Sequence, residues 1–268
     1  MNKFYIQTAL FLLSIFAYGN NETLAVEPAP GEDTKPQLRS RYPTSEEIYE
    51  KHKHLSSQPS CNNKKKAIEL MDEVVKHLEY HATNNDGYKV YIRNHGDGIS
   101  YYKKKHDDQT YILKINLNIY ASSQYNDIIN KLWDPNTPNT FNKGTVKIAH
   151  VYDPNLVIIQ QRYKKGSKKH QKYFYALATK AEISEDKTII AMTSADINDY
   201  NPFRKEYTNT IIENANLFKS NVIPDRDIQN GELDNLFVNL AGYLIEKKGD
   251  DLEITYIESV SDIQILII

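Results

Sequence analysis

The sequence predicts an α+β protein, in which a curved antiparallel sheet with flanking helices surrounds a cavity. Two observations lead to this class. The segments Lys64–Tyr80 and Ser123–Trp133 repeat apolar residues at spacings of three and four, as amphipathic helices do. Most of the remaining chain consists of short alternating apolar runs between turn residues, which is typical of strands joined by hairpins. Because hairpins join antiparallel strands, we expect no parallel sheet, and a long sheet with a helix on each side should curl around a space that needs filling.

Composition limits the class of protein. The 268 residues carry a formal net charge of -2, so the chain has no global basic field for nucleic acid. The 20 tyrosines favour sheet. Cys61 is the only cysteine, so no intramolecular disulfide can form and a buried core must stabilise the fold. Because Cys61 lies in the polar stretch SQPSCNNKKK, a catalytic role for its thiol has little support.

The N-terminal part divides into two segments. Residues 1–25 are predicted to be a secretory signal peptide, with Lys3 before an apolar core and small residues at two cleavage positions; a signal anchor is the alternative. No later stretch reaches about 18 apolar residues, so the mature protein is expected to be soluble and secreted. Residues 26–63 are predicted to be a polar linker, in which Thr44 and Glu47 form a capping box that opens a short helix to about Leu55.

The elements of residues 64–268 follow from the same patterns. The first helix presents one apolar face, formed by Ala67, Ile68, Met71, Val74, Val75 and Leu78. Asp134 and the proline after it stop the second helix. Strands are predicted over Tyr88–Arg93, Ile99–Lys105, Tyr111–Tyr120, Gly144–Tyr152, Leu156–Tyr163, Lys172–Ile183, Thr188–Ile197, Thr208–Phe218, Leu236–Glu246 and Leu252–Ser259, with a loop over Asn221–Asp234.

Motifs of catalysis are missing from the sequence. It contains no G-x-S-x-G, H-E-x-x-H, C-x-x-C or glycine-rich phosphate loop, so we expect neither an enzyme nor a cofactor. Glu73, His77 and His81 line one side of the first helix at four-residue spacing. They could hold a metal ion or form a solvated helix flank, and the second reading is favoured because no fourth ligand is evident.

Polar residues within the strands suggest where a ligand could bind. On one predicted strand, Gln160 and Arg162 share a face with Ile158, while Gln161 shares the other face with Val157. If the Arg162 face is concave, its guanidinium offers a fork for a phosphate or carboxylate; on a convex face it would be exposed. Tyrosines could line the same wall or be ordinary core residues: Tyr173, Tyr175, Tyr243 and Tyr256. The lysine-rich tip, Lys164–His170, could dock on an anionic membrane or be a solvated hairpin end.

Three stretches resemble the helix-grip fold of START-type lipid-transfer domains: YNDIINKLWD from Tyr125, VYDPNLVIIQQR from Val151 and GYLIEKKGDDLEITYIESV from Gly242. The chain also resembles the fam-a proteins of rodent malaria parasites, in SRYPTSEEIYEKHKHL, IIQQRYK, KYFYALATKAEIS and FVNLAGYLIEKK. The resemblance implies secretion to the parasite's vacuole or the host red cell. It also implies binding and transfer of a phospholipid-like molecule. From the charge we expect no nucleic-acid ligand, from the lysine-rich tip a possible transient contact with a membrane, and no protein partner can be named.

The resemblance favours Arg162 as a lipid contact, because a cavity arginine in START-type domains often meets the lipid headgroup. With the polar residues and tyrosines that share its wall, it gives six candidate lipid contacts. The residues are Arg162, Gln160, Tyr173, Tyr175, Tyr243 and Tyr256. START-type domains end in a long helix across the cavity mouth, whereas this sequence ends at Ile268. We therefore expect residues 64–268 to form a domain truncated before that helix, with Asp262–Ile268 as a hydrophobic stub. An alternative is an exported interaction protein that keeps the scaffold but has lost efficient lipid transfer.

Overall fold

The structure is a computed structural model that describes residues 42–57, 63–93, 99–137, 144–163 and 170–261. The predicted signal peptide, Cys61, most of the lysine-rich tip and the C-terminal stub lie outside the described residues. The described ranges contain the α-helices α1 (Ser45–His52), α2 (Lys64–Thr83), α3 (Tyr125–Trp133) and α4 (Arg226–Gln229) and three 3-10 helices (Lys53–Ser57, Ser122–Gln124 and Glu213–Leu217). The same described ranges contain twelve strands: β1 (Lys89–Arg93), β2 (Ile99–Lys105), β3 (Tyr111–Ile119), β4 (Gly144–Asp153), β5 (Leu156–Tyr163), β6 (Gln171–Ser184), β7 (Lys187–Thr193), β8 (Asp196–Asn198), β9 (Lys219–Asn221), β10 (Leu233–Asn235), β11 (Val238–Lys248) and β12 (Asp251–Val260).

The main sheet is antiparallel along its path, in the order β1-β2-β3-β12-β11-β7-β6-β5-β4. The predicted α+β class, with a curved and mostly antiparallel sheet, is therefore confirmed. Among the described strands, the main path contains no parallel pair, as expected, but two short parallel pairs lie beside it. β10 runs parallel to the start of β6, with Leu233 opposite Gln171, and β8 forms a separate parallel pair with β9.

The sheet buries side chains on both faces. Helices α1 and α3 cover one face, which we call the front face; its core includes Ile48, Ile129 and Ile159. Helix α2 and most of the segment 194–237, which connects β7 to β11, cover the other, which we call the back face; its core includes Leu78 and Ile158. Because side chains alternate along a strand, the neighbours Ile158 and Ile159 belong to different cores.

Helix α2 packs closely on the back face. Its buried apolar residues are Ala67, Leu70, Met71, Val74, Val75, Leu78 and Ala82. Ile68, which was predicted to lie on this face, is instead 39% exposed. Gly242 on β11 has a φ of 149°, and a Cβ there would lie 2.0 Å from the carbonyl oxygen of Ile190 and 2.7 Å from Cδ1 of Leu78. Glycine therefore permits both this backbone conformation and the close approach of the helix.

Two local predictions have opposite outcomes. The capping box is confirmed, because the Thr44 hydroxyl accepts from the Glu47 N–H and the Glu47 carboxylate accepts from the Thr44 N–H. The strand predicted over Thr208–Phe218 is wrong, since this segment contains a 3-10 helix. The Asn209 side chain accepts hydrogen bonds from the N–H groups of Ile211 and Ile212 at 3.0 and 2.9 Å. Such local bonds compete with pairing in a sheet.

Candidate functional site

A cavity lies on the front face, and its floor consists of β4 to β7 and β11. Alternation along β5 turns Val157, Ile159 and Gln161 towards it. The register places Val146 opposite Gln161 and Ala178 opposite Val157, so neighbouring strands extend the same surface. The other floor residues are Ile148, Ile190, Met192 and Tyr243.

Helices α3 and α1 form the roof of this cavity. Leu132 and Trp133 come from the end of α3, and Ile48 comes from α1. The chain turns away directly after Trp133, where the Asp134 carboxylate accepts hydrogen bonds from the backbone N–H and the side-chain amide of Asn136 at 2.9 and 3.0 Å. These bonds fix the end of α3, so the indole of Trp133 is held over the sheet.

The cavity is narrow, with a volume of about 90 Å³. Pockets for drug-sized ligands typically measure about 300–1,000 Å³. A space of this size admits only a small or slender apolar group, so a longer ligand requires part of the roof to move. Helix α1 contributes less to the roof than α3, because it supplies Ile48 to the lining whereas α3 supplies Lys131, Leu132 and Trp133.

Two hydrogen-bond donors in the lining have no partner in the described part of the chain. They are Nε2 of Gln161 and the indole Nε1 of Trp133, and both atoms are buried. The two residues are 4% and 9% exposed, respectively. Most buried polar atoms in proteins are hydrogen-bonded, so two such donors around one cavity require an explanation.

The lining also contains a cation near its edge. Lys131 is half-buried, and desolvation lowers the pKa of its ammonium group. Its Nζ lies 5.9 Å from the centre of the Tyr42 ring. The cavity therefore combines apolar walls with donors and positive charge.

Tyr243 and Tyr256, two of the predicted lipid contacts, lie side by side on the front face. The register pairs them across β11 and β12, and their ring centres are 4.9 Å apart. Tyr243 lines the cavity, and burial raises the pKa of both phenols. Glu258 follows Tyr256 on the same face. Desolvation raises the pKa of its carboxyl group to about 7, although part of the side chain is exposed.

The other four predicted contacts lie on the back face, away from this cavity. Gln160 Nε2 donates to the Tyr175 hydroxyl at 2.5 Å. The Tyr173 hydroxyl donates to Asp199 at 2.6 Å and accepts from the Asn201 side chain at 2.9 Å. The structure therefore does not bring the six residues together, and only Tyr243 and Tyr256 of the six lie on the cavity side.

Arg162 belongs to this back-face network. Its guanidinium makes a two-pronged contact with Asp227, at 2.6 and 2.8 Å, and donates to Asp225 at 2.6 Å. Its Nε donates to Gln160 Oε1 at 3.0 Å. The hydrogen bond to Asp227 raises the pKa of Arg162 and lowers that of Asp227. The fork that was predicted to meet a headgroup is thus occupied by two carboxylates of the segment 194–237.

Sequence reasoning placed Gln161 on a face with Val157 and Trp133 on the apolar face of its helix, but assigned neither to the site. The alternation along β5 was sufficient to group Gln161 with the apolar residues. The missing information was which face carries the cavity, and that depends on where α2 and the segment 194–237 pack.

The line of Glu73, His77 and His81 does not resemble a metal site. The Nδ1 of buried His81 lies 3.1 Å from the Tyr88 hydroxyl, and His77 lies 3.9 Å from Glu73. Within the described ranges, no group of three or more His, Cys, Asp or Glu side chains is placed to hold a metal ion. None of the helices in that part of the chain is long and apolar enough to cross a membrane.

No protein-family model matches the sequence, and no curated protein matches it. Among solved structures, the chain is similar to human STARD10, with 11% sequence identity and a TM-score of 0.49. The match covers 70% of this chain and 66% of STARD10, so it spans slightly less than two thirds of the length of STARD10. Human StAR-related lipid transfer protein 5 matches with 11% sequence identity and a TM-score of 0.49, and the match covers 72% of this chain and 81% of that one. A StAR-related lipid transfer protein from Xanthomonas axonopodis matches with 12% sequence identity and a TM-score of 0.43, and the match covers 65% of this chain and 81% of that one. At these identities the likeness concerns the fold alone, and membership of the fam-a family stays a prediction.

Proposed function

We propose that this protein binds a lipid-like ligand in the front-face cavity and performs no bond-breaking chemistry. The observation that carries the proposal is the lining, in which apolar side chains of five strands and two helices surround a few polar groups. Ligand sites commonly have this composition. Transfer of an apolar chain from water into such a space is favourable by about 25 cal/mol per Å² of buried area.

The cavity volume of about 90 Å³ is small for a whole acyl chain, so we propose that an opening movement accompanies binding. We infer that α1 moves, because the 3-10 helix after it and α1 itself rest on β4 through few apolar side chains. Ile48 is buried there, while Tyr49 and Leu55 are partly buried. A single acyl chain needs less displacement than the two chains of a phospholipid, so a slender ligand is the better match for this cavity.

We further propose that the protein is secreted and meets its lipid at membranes outside the parasite cell, in the vacuole or the host red cell. The support for this part is the N-terminal sequence and the resemblance to fam-a proteins. A phospholipid ligand and transfer between membranes rest on the same resemblance.

The test is extraction of lipid from liposomes. The purified mature chain is incubated with mixed-lipid vesicles, re-isolated, and analysed by native and lipid mass spectrometry. We expect one bound lipid per chain, with single-chain lipids enriched over the vesicle composition. A folded protein that leaves the vesicles without any lipid would contradict the proposal.

A second function has its own observation. Four large apolar side chains of the segment 194–237 are well exposed: Tyr200 at 58%, Phe203 at 73%, Leu217 at 76% and Ile223 at 73%. Exposed apolar groups mark interaction surfaces when they cluster. If the protein is an interaction module that has lost lipid transfer, it should bind a red-cell protein saturably. The double change Phe203→Ser and Ile223→Ser should then abolish that binding. The liposome experiment should yield no lipid.

A further inference from the structure

Two neighbouring glutamines on β5 have opposite hydrogen-bonding states. Gln160 and Gln161 are both 4% exposed, so burial does not distinguish them. Gln160 points to the back face, where Nε2 donates to Tyr175 and Oε1 accepts from Arg162. Gln161 lines the front-face cavity, and its Nε2 has no partner in the described part of the chain. Its amide is therefore a buried donor with unused hydrogen-bonding capacity.

Trp133, on the roof of the same cavity, carries a second buried donor of this kind. Its indole Nε1 is buried without a partner, although the ring lines the cavity. A bound water is a poor explanation, because a buried water usually needs two to four polar partners and most of the lining is apolar. A ligand oxygen that enters together with an apolar chain can satisfy these donors without other polar neighbours.

We propose that the ligand of this cavity is a single-chain lipid with an oxygen acceptor at its polar end, a carboxylate or an ester carbonyl, which accepts hydrogen bonds from Gln161 and Trp133. This inference rests on the proposed function and names its ligand class. The narrow volume favours one chain, and the donors favour an acceptor. The ammonium group of Lys131 in the same lining disfavours a cationic end group.

The proposal predicts effects of opposite sign in the free and the bound protein. A donor that has no partner in the free protein destabilises it, whereas the same donor stabilises the complex. Replacing Gln161 by an apolar side chain of similar shape should therefore stabilise the free protein and weaken binding. A residue with a purely structural role would not show this combination.

The experiment uses Gln161→Met and three probes with the same ten-carbon chain: decanoate, methyl decanoate and decylamine. Trp133 is the only tryptophan in the sequence, so its emission reports events at the cavity. We expect Gln161→Met to weaken decanoate and methyl decanoate about tenfold, as loss of one hydrogen bond would, and to leave decylamine unchanged. The melting temperature of the free variant should rise by about 2–4 °C.

The matched control is Gln160→Met, one residue away on the opposite face. Because this change breaks satisfied hydrogen bonds, it should lower the melting temperature and leave the affinity for all three probes unchanged. If Gln161→Met does not fold, Trp133→Phe removes the second donor and keeps most of the ring. Binding to that variant is then followed by the ligand-induced shift in melting temperature.

The outcomes separate the two levels of the proposal. Failure of the wild type to bind any probe or liposome lipid overturns the proposed function, and the inference with it. Wild-type binding that Gln161→Met leaves intact, or weakens equally for all three probes, overturns the inference while the proposed function stands. Weakened binding of the probes by Gln160→Met also overturns it, because the back face would then contact the ligand.

Discussion

Two polar clusters on opposite faces of the sheet differ in how they satisfy their hydrogen bonds. On the back face, Arg162, Gln160 and Tyr175 satisfy one another and reach two carboxylates of the segment 194–237. On the front face, Gln161 and Trp133 border a narrow cavity with donors that have no partner in the described ranges. A satisfied network makes a face rigid, whereas unsatisfied groups around a space mark a place for another molecule. This contrast is the basis of the proposal that one face stabilises the fold and the other binds a ligand.

The largest expected effect is on the back face, from Arg162→Met. This change removes the cationic partner that holds Asp227 by two hydrogen bonds, and it leaves Gln160 without its donor. Asp225 loses one contact but keeps its pair with Lys147. We expect the free energy of unfolding to fall by about 3 kcal/mol, measured by urea denaturation, with unchanged affinity for lipid. The control is Lys105→Met, which breaks the exposed pair with Asp108 and should cost less than about 1 kcal/mol. Loss of lipid affinity in folded Arg162→Met would reverse the assignment of the faces.

A pH-dependent effect is expected on the front face, at Glu258. Its pKa in the folded protein is raised to about 7, so the folded state holds the proton more tightly than the unfolded state does. The wild type should therefore lose stability as the pH rises from about 5 to 8, whereas Glu258→Gln should not. The difference should be on the order of 2 kcal/mol in denaturation curves at the two pH values. Parallel pH profiles for the two proteins would show that this carboxyl group is well solvated.

The back face should show the opposite pH dependence, through His81. Desolvation and the positive charges of Lys104 and His77 lower the pKa of its imidazole to about 4. Because the folded state disfavours the protonated form, the wild type should lose stability as the pH falls from about 7 to 4. Relative to His81→Phe, the loss should be about 1–2 kcal/mol, measured by thermal unfolding at several pH values. Equal losses in both proteins would exclude His81 as the cause.

The smallest effect concerns the roof of the cavity. Thr44→Ala removes the side-chain half of the capping box at the start of α1 and should cost that helix about 1 kcal/mol. If α1 is the part that opens, hydrogen exchange in α1 should become about fivefold faster, and lipid uptake should accelerate with it. Thr83→Ala, at the end of α2 on the back face, serves as the control. Faster exchange in α1 without faster uptake would place the opening elsewhere.

The sequence was sufficient to predict most of the architecture, because local patterns determined it. The capping box at Thr44 and the periodicities of α2 and α3 are short-range signals, and both helices and the box are present. The segment Thr208–Phe218 was mistaken for a strand, because the local bonds of Asn209 leave no periodic signature.

The candidate site was less predictable, for a topological reason. Alternation separates Arg162 from Gln161, but it does not tell which face carries a cavity. That choice depends on the carboxylates of Asp225 and Asp227, which are more than 60 residues from Arg162 along the chain. A strand with polar residues on both faces therefore specifies two possible sites, and only tertiary packing decides between them.

The most direct test of the account uses Trp133 as a reporter of chain contact. A fatty acid brominated in mid-chain is titrated into the protein, with the unbrominated acid as control, while native mass spectrometry counts bound lipid. Because Trp133 lines the cavity and is the only tryptophan of the chain, bound brominated lipid should quench its emission strongly and saturably, and the control should not. Identical emission with both acids, at full lipid occupancy, would place the ligand away from the front-face cavity and contradict the central claim.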